Sequence, residues 1–268
     1  MAMATIMAAF PGGKHKALTM SYDDGPAADR RLVSIFNQFG VKGTFHLNSG
    51  LMGQDGRIGA EEAAGLYAGH EMSAHTVTHP TLERSPNETL VAEIMEDRKS
   101  LERVAGYTVR GMSYPNGSYN RAIKELLPRL GIEYSRVVPS TGNFGMPDDW
   151  HEWKPTCHHK QRLMELAESF VESRKSQYLY LMYVWGHSYE FDQDGNWELI
   201  EAFCRYVGGR DDIWYATSIE IVWYMQAFER LKFAADCSFV RNPSAQTVWL
   251  IANGRTVEVP GGQSVMLD

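Results

Sequence analysis

Two short segments of this chain carry residue types and spacings suited to holding a divalent metal ion. Asp23-Asp24-Gly25-Pro26 sets two carboxylates side by side ahead of a turn sequence, and His75-Thr76-Val77-Thr78-His79 sets two imidazoles four residues apart. Two imidazoles and one carboxylate on a divalent ion leave positions open for water and substrate, the donor set of hydrolytic metal sites. Adjacent carboxylates at a strand end diverge, so one holds the ion while the other stays free as a base. The histidine spacing equals one helical turn, but Thr76, Val77 and Thr78 are β-branched and Pro80 disfavours αR at His79. A tight turn leaving a strand is expected to present both rings. Three further groups attract less weight. His187 stands beside Trp185 as a lone histidine, and His46 lies near a strand end. Cys157-His158-His159 has no partner cluster at zinc-finger spacing, so packing is expected there.

The elements that position these residues alternate strand and helix. Strands are expected at 17–22, 42–48, 71–74, 109–114, 132–138, 178–185 and 213–216, and helices at 27–39, 60–68, 87–105, 120–130, 161–174, 196–207 and 218–231. Between 139 and 159 the pattern is irregular, rich in Gly, Pro and Trp. Sustained βα alternation implies a parallel sheet, and seven units suit a closed or nearly closed barrel, with a doubly wound open sheet as the alternative. Asp23-Asp24, His75–His79, Tyr114–Gly117 and Trp185–His187 then all fall at C-terminal strand ends, the face where such barrels keep their sites. After residue 233 the pattern changes. Two short strands around Asn253-Gly254 read as a hairpin, so a barrel over 1–233 and a small β segment over 234–268 are expected.

Composition sets outer bounds. The chain has 268 residues, 44% hydrophobic and 22% charged, with a formal net charge of −7. A broad nucleic-acid surface needs a basic face, which this balance argues against. No apolar run approaches a membrane span. Met1–Phe10 is mildly apolar, but the cations Lys14 and Lys16 follow it instead of preceding it, so it reads as a short start and a cytoplasmic location is expected. Three scattered cysteines agree with a reducing compartment.

Together these motifs resemble those of the polysaccharide deacetylases, the NodB-homology or carbohydrate esterase family 4 group, over nearly the whole chain through Leu231. Ser21-Tyr22-Asp23-Asp24-Gly25-Pro26 is similar to the first family motif, Thr-Phe-Asp-Asp-Gly-Pro. His75-Thr76-Val77-Thr78-His79 matches the second, His-Ser/Thr-x-x-His. The resemblance implies a distorted (β/α)7 barrel that removes acetyl groups from an acetylated oligo- or polysaccharide. It implies Asp23 as general base, and Asp24, His75 and His79 as ligands of a divalent metal, zinc first, with cobalt, nickel or manganese as alternatives. It implies His187 as general acid. Pro115-Asn116-Gly117 matches the end of the Arg-x-Pro-Tyr-Gly motif, making the Asn116 backbone N–H an oxyanion donor beside Tyr114 and Pro115. The arginine of that motif, which braces the base, falls at Ser113, leaving Arg110 or Arg136 to supply its charge. Asp148-Asp149-Trp150 only loosely echoes the Asp-x-x-Asp-Trp segment, so the partner of His187 is unassigned. Trp150, Trp153, Trp185 and Tyr189 are candidates for stacking on a sugar.

Other readings remain. A non-haem iron oxygenase has similar ligands but a different spacing and fold. Cyclic-amide hydrolysis of the allantoinase-like type is an enzymatic rival, and a sugar-binding pseudoenzyme is the non-catalytic one, motivated by Ser113.

Overall fold

The structure, a computed structural model, describes residues 5–267. Strand β1 (Ile6–Ala9) is followed by β2 (Lys16–Asp23), α1 (Asp29–Phe39), β3 (Gly43–Leu47), α2 (Ala60–Leu66), β4 (Glu71–Ala74) and α3 (Asn87–Ala105). Next come β5 (Gly111–Ser113), α4 (Arg121–Leu126), β6 (Tyr134–Arg136), β7 (Cys157–His158), α5 (Leu163–Glu172), β8 (Tyr180–Gly186), α6 (Tyr189–Asp194), α7 (Trp197–Val207), β9 (Ile213–Tyr215) and α8 (Ser218–Glu229). The chain ends in β10 (Lys232–Phe233), β11 (Phe239–Arg241), β12 (Val248–Ala252), β13 (Arg255–Val259) and β14 (Ser264–Met266). No described helix is long and apolar enough to cross a membrane.

The central sheet runs β6-β5-β4-β3-β2-β8-β7, with β9 paired to the first half of β2. Every pairing in it is parallel. This is the expected distorted barrel, and β2 is an interior strand of its sheet, paired with β3, β8 and β9. It pairs with β8 from Lys16 to Tyr22 and with β3 from Met20 to Asp23, which puts Asp23 beside His46. The strand is buried throughout because both faces are covered. Leu18, Met20 and Tyr22 join Leu32 and Phe36 of α1 in the helix-covered core. Thr19, Ser21 and Asp23 alternate onto the opposite, inner face. That inner face is polar. Glu71 accepts from Thr44 Oγ1 at 2.9 Å and Tyr134 Oη at 2.8 Å, and Tyr134 Oη meets Ser73 Oγ at 3.2 Å.

The irregular stretch closes the barrel. Trp153 bridges to Arg136, its N–H donates to Ser135 O at 3.0 Å, and β7 then pairs with the top of β8. The two-residue strand β7 escapes a periodicity reading because it is too short to show a period.

At the other end, β12 and β13 form the hairpin expected around Asn253-Gly254. The chain start is part of this unit. Ile6–Ala9 pairs antiparallel with β12, and Tyr224 of α8 ties both strands, donating to Ala9 O at 2.5 Å and accepting from Trp249 N at 2.9 Å. The reading of Met1–Phe10 as a mere start is corrected for Ile6–Ala9, while residues 1–4 lie outside the described residues. A second small sheet, β10-β11-β14, completes the appendage.

Candidate active site and metal centre

Asp24, His75 and His79 converge where β2 and β4 end. His75 Nε2 lies 3.8 Å and His79 Nε2 3.7 Å from Asp24 Oδ1, and the three ligand atoms all fall within 4.8 Å of one another. The histidine segment is a turn, as its β-branched residues and Pro80 require. Asp24 (φ 78°), Thr76 (φ 68°), His79 (φ 60°) and Asn116 (φ 57°) are left-handed, a conformation uncommon for non-glycine residues. Four such residues around one mouth mark a backbone held against its preference, as happens at functional sites.

Neighbouring side chains hold that backbone. Asn48 Nδ2 donates to His75 O at 2.6 Å and Thr76 O at 3.1 Å. Asp97 on α3 accepts from His75 N at 3.0 Å and Ser49 N at 2.8 Å. Glu93 on the same helix accepts from Thr78 N at 2.8 Å. Arg57, which the sequence reading did not single out, donates to the Asp24 carbonyl, and its Nη1 lies 3.8 Å from Asp24 Oδ1. No motif marks it, because it arrives on the β3–α2 loop, which bridges to Pro26.

The donor set fits a divalent metal. His75 Nδ1 faces Ser113 O at 2.9 Å and Ser113 Oγ at 2.7 Å. With its proton on that side, Nε2 keeps a free lone pair toward Asp24. Burial disfavours charge on His75 more than Asp23 and Asp24 favour it, so its pKa is lowered and the ring is neutral, the ligand form.

Asp23 is the adjacent carboxylate, and it is not exposed. Burial alone would raise its pKa, but Arg136, then His75, hold it well below the ordinary range. Arg136 Nη2 donates to Asp23 Oδ2, and Ser113 Oγ donates to Oδ1 at 3.0 Å. Arg136 therefore supplies the charge that Ser113 lacks. Its guanidinium lies over the Trp185 ring, 4.2 Å from the centroid. Arg110 is corrected: it points away, donating to Gly131 O at 3.1 Å.

His187 closes the cluster from β8, its Nε2 4.0 Å from Asp24 Oδ2. Its Nδ1 lies 3.3 Å from Glu190 Oε2. Burial works against its charge, yet the Glu190 bond and the Asp23 and Asp24 charges outweigh it, so its pKa is raised. The following residue anchors the turn, with Ser188 Oγ donating to buried Asp29 at 2.5 Å. Glu190 is the partner left unassigned by the motifs, and the His187-x-x-Glu190 spacing was the available signal.

Other sequence candidates have different places. His46 is fully buried beside Asp23 and its pKa is pushed down to about 3, chiefly by burial, so it is a neutral wall residue. Trp185 and Trp153 are 7% and 1% exposed, and neither offers a face to a sugar. Tyr114 is buried with its hydroxyl on His151 O at 2.8 Å, so it supports the turn and does not line the mouth. Pro115 is buried, while Asn116 is exposed with Nδ2 3.3 Å from Thr81 Oγ1. Tyr189 is half-buried, its ring centroid 5.1 Å from that of His187.

A parallel barrel with an acid pair and a histidine pair on its C-terminal face defines a class, and sequence and structure comparisons agree on it. The polysaccharide deacetylase family profile matches residues 11–135. Chitin deacetylase 1 of Cryptococcus neoformans is 27% identical over 141 residues, 49% of this chain and 28% of that protein. The peptidoglycan-N-acetylglucosamine deacetylase PgdA of Listeria monocytogenes is 25% identical over 124 residues, 45% of this chain and 26% of that protein. The chain thus spans little more than a quarter of the length of these curated relatives. In fold, a Mycobacterium smegmatis protein assigned to the polysaccharide deacetylases superposes with a TM-score of 0.63 at 18% identity, covering 82% of this chain and 93% of the other. The chain is thus similar in sequence to polysaccharide deacetylases over its first half, and similar in fold over most of its length.

Proposed function

We propose that this chain hydrolyses N- or O-linked acetyl groups on a carbohydrate, with a divalent metal held by Asp24, His75 and His79. The observation that carries the reading is one mouth bringing those three residues together with an Arg136-paired Asp23 and a Glu190-paired His187. The names of the relatives, which act on chitin and peptidoglycan, support an acetylated polysaccharide or oligosaccharide as substrate.

A bound divalent ion, zinc first among cobalt, nickel and manganese, supplies Lewis acidity to the acetyl carbonyl and acidifies water. Asp23 takes the proton of the attacking water. It is ready to do so because Arg136 and Ser113 fix both its oxygens and keep it ionised. Left-handed Asn116 is the proposed backbone donor to the developing oxyanion. His187 gives its Nε2 proton to the departing nitrogen or oxygen. Arg57 keeps Asp24 in its left-handed pose.

The test is acetate release from N- and O-acetylated oligosaccharides by wild type, metal-stripped protein and Asp23→Asn. Release that needs metal and Asp23 supports the reading. Full turnover without either refutes it, and ring opening of a cyclic amide with no acetate release favours the allantoinase-like rival.

A further inference from the structure

Beyond the ligands and the base lies a second group of titratable side chains: His158, His159, Lys160, Glu190 and Asp194. Glu190 Oε2 is 3.1 Å from His158 Nε2 and 3.4 Å from His159 Nε2, a cluster compact enough to suggest a second ion. Two observations assign it otherwise. His158 Nδ1 accepts from Lys160 N at 3.2 Å, which leaves the ring proton on Nε2, the atom facing Glu190. Lys160 Nζ already lies 3.4 Å from Glu190 Oε1 and 2.7 Å from Asp194 Oδ2, so a cation is in place.

The same Glu190 oxygen makes two contacts with one residue. It accepts from His187 N at 3.1 Å and meets His187 Nδ1 at 3.3 Å. Glu190 N in turn donates to His187 O at 3.1 Å, closing the turn. One carboxylate thereby fixes the backbone, ring orientation and tautomer of His187, with Nδ1 carrying a proton and Nε2 facing the mouth. His158 and Lys160 hold that carboxylate from the segment that closes the barrel.

We infer that Glu190 is the positioning residue of His187, and that the His158–Glu190–Lys160 cluster ties proton delivery to barrel closure. The inference rests on His187 being the leaving-group acid. In that step the bond from the acetyl carbon to nitrogen or oxygen breaks and its electron pair stays on the leaving atom. That atom takes the Nε2 proton of His187, giving acetate and a free amine or alcohol. His187 is left neutral, with Nδ1–H still on Glu190. An amine cannot leave as an anion, so misorienting His187 slows amide cleavage. A 4-nitrophenolate leaves without a proton and is indifferent to it.

The experiment compares zinc-loaded wild type, Glu190→Gln, His158→Gln and His187→Ala on an N-acetylated chito-oligosaccharide and on 4-nitrophenyl acetate, with melting temperature and zinc content recorded. Glu190→Gln is expected to lower kcat on the amide by about 10- to 100-fold with KM unchanged, while the aryl ester changes by less than about threefold. His158→Gln, which leaves His187 untouched, is expected to show the same selectivity at smaller size, and it carries the test if Glu190→Gln does not fold. Equal losses on both substrates, or none on either, overturn the inference. If His187→Ala itself shows no amide-selective loss, the reading of His187 as acid fails. If it does and the Glu190 and His158 variants do not, only the positioning role fails.

Discussion

Ser113 and Arg136 are register partners on adjacent strands, and they bind the two oxygens of one carboxylate, that of Asp23. A small side chain on β5 leaves room for a long one from β6 to cross toward β2. That carboxylate has a cationic partner, delivered from the strand next to Ser113.

A buried pair of this kind is costly to break from one side. Arg136→Met leaves Asp23 buried without its cationic partner, with only the Ser113 hydroxyl still on it, and is expected to lower unfolding free energy by about 3–5 kcal/mol. Adding Asp23→Asn removes the stranded charge, so the double variant is expected to recover much of that loss. Denaturant unfolding of both singles and the double measures it. Additive losses would show that the pair does not interact as described.

Stability should also report on the polar interior. Burial pushes Glu71 from 4.5 up to about 7, against hydrogen bonds from Ile219 N, Tyr134 and Thr44. A folded pKa above the unfolded one means the native state prefers the protonated acid. That stabilisation is complete below about the unfolded value and is lost as pH rises through the folded one. Wild type is therefore expected to lose stability between about pH 5 and pH 8, and Glu71→Gln, which cannot ionise although it exchanges one accepting oxygen for an amide donor, to lose less over that range. Parallel melting curves across that range decide it. An unchanged slope in the variant contradicts the assignment.

Gly186 precedes His187, and a Cβ there would lie 2.0 Å from His159 Nδ1. That ring is packed against Tyr22 and Phe191 at centroid distances of 5.8 Å and 4.2 Å, which restricts its retreat. Gly186→Ala is expected to cost about 1–3 kcal/mol by overpacking, and to lower activity by displacing the His187 turn. A melting temperature and rate equal to wild type would show that the site is looser than this packing implies.

Much of this was legible in the sequence because it lies in short, contiguous segments. The acid pair and the histidine pair each announce themselves within a few residues, and each strand and helix of the seven βα units within its own short window. Asn87–Ala105 and Glu71–Ala74 form where periodicity and the glycine stops place them. What escaped depends on register or on loops. Arg136 could be named but not chosen over Arg110, since only strand pairing decides which guanidinium reaches Asp23. Glu190 went unassigned because Asp148-Asp149-Trp150 only loosely echoes the motif that would supply the partner of His187, and no other motif points to residue 190. Trp185 looked like a sugar platform because sequence does not distinguish a ring at the mouth from one beneath an arginine. Strand β1 was missed because its partner lies more than two hundred residues away.

Asp24, His75 and His79 are proposed to hold one divalent ion, and calorimetric titration of metal-stripped protein with zinc, comparing wild type with His75→Ala, tests this. Wild type is expected to bind one equivalent, and His75→Ala to bind at least about 100-fold more weakly while still folded. Equal zinc affinity in the two proteins would contradict it.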